Sequence, residues 1–307
     1  MSRRGSAPIL ANALAWPREA ATSCSPAAVL TATGSNIVLD LHGDPVRARL
    51  TVFSDGNHHM ALADVVARFA AHYPAVDDIF YATTPPRILI DALTTGRLGS
   101  GNLMLSVRPN LFISPHPVVE RLHQEGRVGT PVTFASSTGT AILVRKGNPL
   151  AIDLVGDLLR PDVRLALSNP ETEAASFAVY SAAIVSGSSG AAVPQEDIAA
   201  YLQSNAVIKS RLIHHREIPE LLASGRADAS LVYTHLALRY VRIFPDDFAM
   251  LPATTEPVTT YAIALVGAGG HFGRSFIDFM LSREAGETYL AHGLQPVALT
   301  ALTPQSS

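Results

Sequence analysis

Two pairs of adjacent histidines, His58-His59 and His214-His215, are candidates for chemistry in this sequence. A neutral imidazole can ligate a divalent metal, and its ring N–H can donate a hydrogen bond to an oxyanion. Adjacent residues point in different directions on a helix or strand, so at most one histidine of each pair is expected to face a common ligand. The alternative is a surface or capping role, because no carboxylate-histidine motif at fixed spacing accompanies them.

The first histidine pair lies in residues 51–69, which the sequence predicts to be a strand, a tight polar loop and a helix. The strand is a short apolar run, the loop contains Asp55-Gly56-Asn57, and apolar residues then recur at helical spacing at Leu62, Val65, Val66 and Phe69. A helix that begins after a strand points free backbone N–H groups into the crevice where α/β folds bind ligands. We therefore expect an anion site here, although Asp55 would favour a cation if it faced the crevice.

The composition describes an ordered globular protein. The chain has 307 residues, of which 48% are hydrophobic and 16% charged, so it is long enough for two domains around a large core. A formal net charge of −3 argues against a nucleic-acid surface. The single cysteine, Cys24, excludes an intrachain disulfide and a thiolate metal cage.

The amino-terminal segment, residues 1–46, is poor in charge and rich in Ala, Ser, Thr and Pro. We interpret it as a partly ordered extension, with an extra strand at residues 37–42. Met1 to Ala21 has no convincing apolar core or cleavage site, so an ordinary amino terminus and a cytoplasmic location are expected if the chain is full length.

From Ala48 onward, predicted strands and helices alternate, which indicates an α/β fold. The sequence predicts one crossing strand over residues 133–144 and a loop at residues 213–216 before a helix from Ile218 to Ser224. After residues 244–247 it predicts the strand Tyr261 to Val266 and a last helix from Phe272 to Leu281.

From about Leu50 to Pro296 the chain resembles bacterial solute-binding proteins of the molybdate- and tungstate-binding type, which are the receptors of ABC importers. The resemblance lies in an ordered set of segments rather than in one motif. These segments are Thr51–Phe53, Tyr81–Thr84, Leu111–Ser114, Ala141–Pro149, Leu165–Pro170, Gly225–Tyr233, Phe244–Asp247 and Tyr261–Leu265.

The resemblance implies a two-lobed, type II periplasmic-binding-protein-like α/β fold. Each lobe is expected to be a mixed sheet flanked by helices, with the ligand cleft between the lobes. By this resemblance, residues 47–138 and 245–307 form lobe I and residues 139–244 form lobe II. It also implies a monomer in the periplasm that binds a small-molecule anion, works with an ABC transporter membrane subunit, and binds no nucleic acid.

In such receptors, hydroxyl groups and helix-terminal N–H groups from both lobes hold the anion, and the lobes close around it. The positions that correspond to those donors are Asn57, Thr83, Thr84, Ala175, Ser176, His215 and Tyr233. Asn57 replaces the usual serine, but its amide still donates. The four loop histidines, His58, His59, His214 and His215, are the larger departure from the family pattern.

Three functions therefore remain open. The first is capture of a small oxyanion such as molybdate or tungstate, with no catalysis and no cofactor. The second is an intracellular sensor or enzyme of the same fold that acts on a small anionic metabolite. The third is a divalent-metal receptor that uses the histidines. The absence of a paired acid/base or nucleophile constellation favours binding over catalysis.

Overall fold

A computed structural model describes residues 14, 40–56, 59–100, 103–188, 193–211 and 213–297. The strands are β1 (Leu41–His42), β2 (Leu50–Ser54), β3 (Ile79–Ala82), β4 (Leu98–Ser100), β5 (Leu103–Leu105), β6 (Leu111–Pro115), β7 (Val132–Ser136), β8 (Thr140–Arg145), β9 (Leu165–Leu167), β10 (Ile208–Lys209), β11 (Ala229–Tyr233), β12 (Phe248–Thr254), β13 (Thr260–Leu265) and β14 (Gln295–Pro296).

Helices alternate with these strands, as the sequence predicts. They are α1 (His59–His72), α2 (Pro86–Thr95), α3 (His116–Gln124), α4 (Ala174–Gly187), α5 (Ile198–Gln203), α6 (His214–Ala223), α7 (Thr234–Ile243), α8 (Gly273–Met280) and α9 (Arg283–Ala291), with a 3-10 helix at Val155–Leu159. Within the described ranges, no helix is long and apolar enough to cross a membrane.

The first sheet has the strand order β1-β3-β2-β6-β13-β7-β14. It is mixed, since β2 runs parallel to β3 and β6 whereas β13 runs antiparallel to β6. The apolar stripe of α1 packs on this sheet, with Leu62, Val65, Val66 and Phe69 fully buried. The residues at helical spacing therefore form the face of α1 that packs in the core of lobe I. Lobe I consists of this sheet and its helices.

The second sheet has the strand order β10-β9-β11-β8-β12 and forms lobe II with its helices. It is also mixed, because β11 runs parallel to β9 but antiparallel to β8. Every residue of β11 is buried, as expected for a central strand covered on both faces. The two-lobed, type II periplasmic-binding-protein-like fold is thus confirmed.

The chain crosses between the lobes where the sequence predicts one strand over residues 133–144. That prediction was wrong in detail, because β7 belongs to the first sheet and β8 to the second. Between them, Gly139 has φ +93°, and an added Cβ would lie 2.1 Å from the Thr254 carbonyl oxygen of the returning segment. Only glycine tolerates this combination. The crossing segments also pair with each other, since Ser137 and Thr259 exchange two hydrogen bonds of 2.8 Å.

Two boundaries of the predicted lobes need correction. The sequence analysis places residues 245–307 in lobe I, but β12 pairs with β8 in the second sheet. It is an edge strand that carries Pro252 and an irregular register, and both features obscure a strand in the sequence. The first sheet likewise begins inside the predicted extension, because β1 pairs with β3.

Candidate functional site

The carboxylate of Asp40 lies at the centre of the candidate site, with 0% of its surface exposed. Its Oδ2 accepts a hydrogen bond from His215 Nε2 at 2.7 Å and another from Thr83 Oγ1 at 2.7 Å. Its Oδ1 accepts from Arg216 Nη2 at 2.9 Å and Nε at 3.2 Å. A fourth side chain, His42, places its Nε2 3.5 Å from Oδ1.

These donors come from both lobes. Asp40 and His42 flank the start of β1, and Thr83 follows β3 in lobe I, whereas His215 and Arg216 lie on α6 in lobe II. The carboxylate therefore joins the lobes across the cleft. Burial alone would raise the pKa of Asp40, but the charge of Arg216 and the hydrogen bonds from the two histidines outweigh it and hold the pKa well below its usual range.

The amino terminus of α6 presents His215 and Arg216 to this carboxylate. Residues 213–216 were expected to be a loop, but α6 begins at His214, since the Glu217 carboxylate accepts from the backbone N–H of Ile213 at 3.0 Å and of Arg211 at 2.7 Å. The Glu217 side chain thus provides hydrogen-bond acceptors for two backbone N–H groups that lie just before the first turn of α6.

A proline further along α6 adds a second constraint on His215. Pro219 has no N–H for the carbonyl four residues earlier, which is that of His215. The hydroxyl of Tyr240 donates to this carbonyl instead, at 2.7 Å. Burial keeps Tyr240 protonated by raising its pKa far above the usual value. The backbone of His215 is thus tied to α7.

The first loop of lobe I meets the same histidine from the opposite side of the cleft. A Cβ added to Gly56 would lie 2.0 Å from His215 Cε1, so only the absence of a side chain allows this approach. Asn57 and His58 lie outside the described residues, as does the side chain of His59, the first residue of α1. Their predicted binding roles stay predictions.

A second polar group surrounds Tyr233, at the end of β11. Its hydroxyl lies 2.9 Å from Thr259 Oγ1 on the crossing segment, and Ser176 forms a side-chain hydrogen bond with it. Burial raises the pKa of Tyr233 well above its usual value, and the nearby carboxylates of Asp55 and Glu173 act in the same direction. Tyr233 and Ser176 therefore lie together between the lobes, as the resemblance implied.

The remaining predicted residues lie beside these groups. Thr84 is buried next to Thr83. Ala175 lines a cavity of about 560 Å³ together with Tyr233, and apolar side chains dominate the rest of its wall: Pro115, Val118, Val179 and Val258.

One more cluster lies behind His215. The Glu173 carboxylate, just before α4, has Oε1 3.2 Å from His214 Nδ1, and the rings of His214 and His215 meet edge to face with centroids 5.8 Å apart. The other nitrogen of His214, Nε2, lies 3.3 Å from the hydroxyl of Tyr180. All four of these side chains are buried.

The sequence analysis missed Asp40, His42 and Glu173. The alternating pattern Asp40-Leu41-His42 was the available signal, because residues two apart on a strand share a face. Glu173 gave no comparable signal, since a carboxylate before a helix is most simply a capping residue.

The fold and the polar cleft between two lobes define a two-lobed binding protein. Structures of similar fold include the sulfate-binding protein SubI of Mycobacterium tuberculosis, with 18% identity over 82% of this chain and 89% of that one, and a TM-score of 0.63. The periplasmic molybdate-binding protein of Azotobacter vinelandii shares 16% identity over 80% and 98%, with a TM-score of 0.59. AgtB of A. tumefaciens, in complex with agropinic acid, shares 15% over 83% and 86%, with a TM-score of 0.58.

Residues 50–295 match the family of bacterial extracellular solute-binding proteins. This match covers most of the chain, so the chain belongs to that family. Among curated proteins, no sequence matches it significantly.

Proposed function

We propose that the chain captures a small oxyanion of the molybdate or tungstate kind in the cleft between its lobes. The observation that carries this proposal is the buried Asp40 carboxylate, which His215, Arg216 and Thr83 hold from both lobes. A solute oxyanion presents the same chemistry to these donors, since its oxygens accept several hydrogen bonds at once.

Asp40 has a definite role in this proposal. Its carboxylate takes the position that we assign to the solute, so a solute must displace Asp40 from His215, Arg216 and Thr83 before it can bind. Asp40 directly precedes β1, a two-residue strand at the edge of the first sheet, so its displacement disturbs little of the sheet beyond the hydrogen bonds of Asp40 itself. Edge segments of this kind open at low free-energy cost.

The donors differ in one respect from those implied by the resemblance. Hydroxyl and backbone N–H donors alone were expected, whereas here the Arg216 guanidinium adds a full positive charge and a fork of two N–H groups. A buried guanidinium favours an anion over a neutral solute, because an unpaired buried charge is costly. The ligands of the structural neighbours, sulfate, molybdate and agropinic acid, agree with this selectivity.

The cavity beside Tyr233 supports a second candidate, an organic acid. A volume of about 560 Å³ falls within the range of roughly 300–1,000 Å³ that small-molecule pockets occupy, and its wall is mainly apolar. In this candidate the acid binds in the cavity itself, with the hydroxyl residues Tyr233 and Thr259 of its wall as partners for the carboxylate. Formate and longer-chain carboxylates distinguish the two candidates, since only the second predicts tighter binding with chain length.

The family consists of extracellular solute-binding proteins, which supports a location outside the cytoplasm. We propose that the chain works there and delivers its solute to the membrane subunit of an ABC importer. We expect it to do so as a monomer without catalysis.

A thermal-shift series tests the anion site. The wild-type protein is titrated with molybdate, tungstate, sulfate, phosphate and carboxylates, and a ligand at about 100 times its Kd should stabilise it by about 2.7 kcal/mol. Arg216→Gln and Thr83→Val should lose that response. Arg283→Gln is the matched control, because Arg283 forms an exposed pair with Glu287. Equal responses in all four proteins would reject this site.

A further inference from the structure

We infer that Glu173, His214 and His215 form a binding site for a divalent transition metal of the Zn²⁺ type. One ligand atom from each residue lies within 4.8 Å of the other two, which is the spacing that a single ion can bridge. The relative exposures are 4%, 0% and 1%, so the three side chains form a buried cluster rather than a surface group.

The hydrogen bond to Asp40 sets the state of His215. Asp40 is an anion whose Oδ2 lies 2.7 Å from Nε2, so Nε2 carries the proton and donates it. In the neutral ring, Nδ1 then carries the lone pair that can bind a metal. A carboxylate that accepts the outer N–H of a metal-ligating histidine is the usual arrangement in metal sites, because it fixes the ring and increases its basicity.

His214 has a corresponding outer partner. Its Nδ1 faces Glu173 Oε1 at 3.2 Å, and its Nε2 faces the hydroxyl of Tyr180 at 3.3 Å. The Tyr180 hydroxyl oxygen can accept a hydrogen bond from Nε2–H in the tautomer of His214 that carries its proton there. With Nε2 protonated, Nδ1 has its lone pair on the side of Glu173.

The charges at the cluster favour a cation. The Glu173 carboxylate, with 4% of its surface exposed, adds a negative charge directly to the ligand set. The Arg216 guanidinium lies 2.9 Å from Asp40 and therefore balances that carboxylate rather than Glu173. A bound cation would balance Glu173 in a place where unbalanced charge is strongly unfavourable.

The donor set indicates which metal would bind. Two imidazole nitrogens and one carboxylate suit Zn²⁺, Co²⁺ and Ni²⁺, whereas Mg²⁺ and Ca²⁺ prefer oxygen ligands alone. Three protein ligands leave a fourth position for water or for a solute atom. The sequence analysis left open a metal held by the two histidine pairs, with at most one histidine of each pair facing it. The structure instead brings both His214 and His215 together with Glu173.

The test is isothermal titration of the tag-free chain with Zn²⁺ alone, without any added oxyanion. We expect one Zn²⁺ per chain in the wild type. Glu173→Gln and His214→Gln should weaken binding by more than the roughly 10–100-fold that loss of an outer partner costs. His72→Ala is the matched control, since His72 forms an exposed pair with Glu284, and it should leave the affinity unchanged.

A second measurement needs no variant. X-ray absorption at the zinc edge of the loaded wild-type protein should show two imidazole ligands together with oxygen. The Co²⁺-loaded protein should give the visible spectrum of a four-coordinate site. Failure of the wild type to bind Zn²⁺ or Co²⁺, equal affinity in Glu173→Gln and the wild type, or a coordination shell without imidazole would overturn the inference. None of these results depends on whether the chain binds an oxyanion.

Discussion

Replacing Asp40 by alanine tests whether the two lobes are joined through one carboxylate. The substitution removes the carboxylate that accepts from the Arg216 guanidinium, which has 0% of its surface exposed, and from His215 and Thr83. Breaking a buried ion pair from one side typically costs about 3–5 kcal/mol, because the remaining charge is uncompensated.

This cost is large enough to measure in the melting temperature. Each kcal/mol shifts Tm by roughly 2–4 °C for chains of 150–250 residues, and this chain of 307 residues should lie at the lower end. We therefore expect Asp40→Ala to lower Tm by about 6–10 °C in a buffer without oxyanions. Asp44→Ala is the control, because the Asp44 side chain is half-buried and its carboxylate accepts from the backbone N–H of the nearby Val46.

The loss of stability caused by this substitution should depend little on salt. A desolvated pair is screened little by salt, so the difference between Asp40→Ala and the wild type should persist in sodium chloride. A Tm equal to that of the wild type, or a difference that vanishes with salt, would refute the assignment of Asp40 as a buried bridge between the lobes.

Three further predictions concern the same cleft. Asp40→Asn should be less stable than the wild type at neutral pH. This difference in the free energy of unfolding should shrink as pH falls through the pKa of Asp40 in the folded state. That pKa lies below the unfolded value of 3.8, so the contribution is present above pH 4 and is lost only in strong acid; a gap that closes near pH 6, measured by urea unfolding, would contradict this. Gly56→Ala should cost about 1–3 kcal/mol because its Cβ would overlap the His215 ring, whereas Gly129→Ala, whose Cβ would lie 3.5 Å from its nearest neighbour, should cost much less; equal melting temperatures would count against the contact. Tyr233→Phe and Thr84→Ala should each weaken oxyanion affinity by about 1–3 kcal/mol in calorimetric titrations, and unchanged isotherms for both would exclude these residues from the site.

Much of the fold could be predicted because it depends on local periodicity. The spacing of Leu62, Val65, Val66 and Phe69 gives the buried face of α1, and Gly96 ends α2 with φ +67°, as a C-cap glycine does. The strand β12 was missed because Pro252 and an irregular register at a sheet edge remove the usual alternation.

The site was harder to predict because its contacts are distant in sequence. The bond between Asp40 and His215 joins residues 175 positions apart, and Asp40 belongs to a segment that composition alone describes as an extension. The family resemblance indicated Thr83, His215, Ser176 and Tyr233, and the structure brings all four between the lobes. It could not indicate that a carboxylate of this chain lies among them, because the matched segments do not include Asp40.

The start of α6 could not be predicted for a different reason. The sequence His214-His215-Arg216 before Pro219 suggests a loop, since proline disfavours a helix interior. The Tyr240 hydroxyl supplies the hydrogen bond that Pro219 cannot make, and only the tertiary structure reveals that replacement.

The most direct test of the central claim is calorimetric titration of Asp40→Ala and the wild type with molybdate, tungstate, sulfate and acetate. If the Asp40 carboxylate occupies the position of the solute, the variant should bind at least one of these anions about tenfold more tightly than the wild type, since no side chain has to be displaced. Binding that is equal or weaker in the variant for every anion would show that Asp40 is no substitute for the solute, and the proposed site would have to be abandoned.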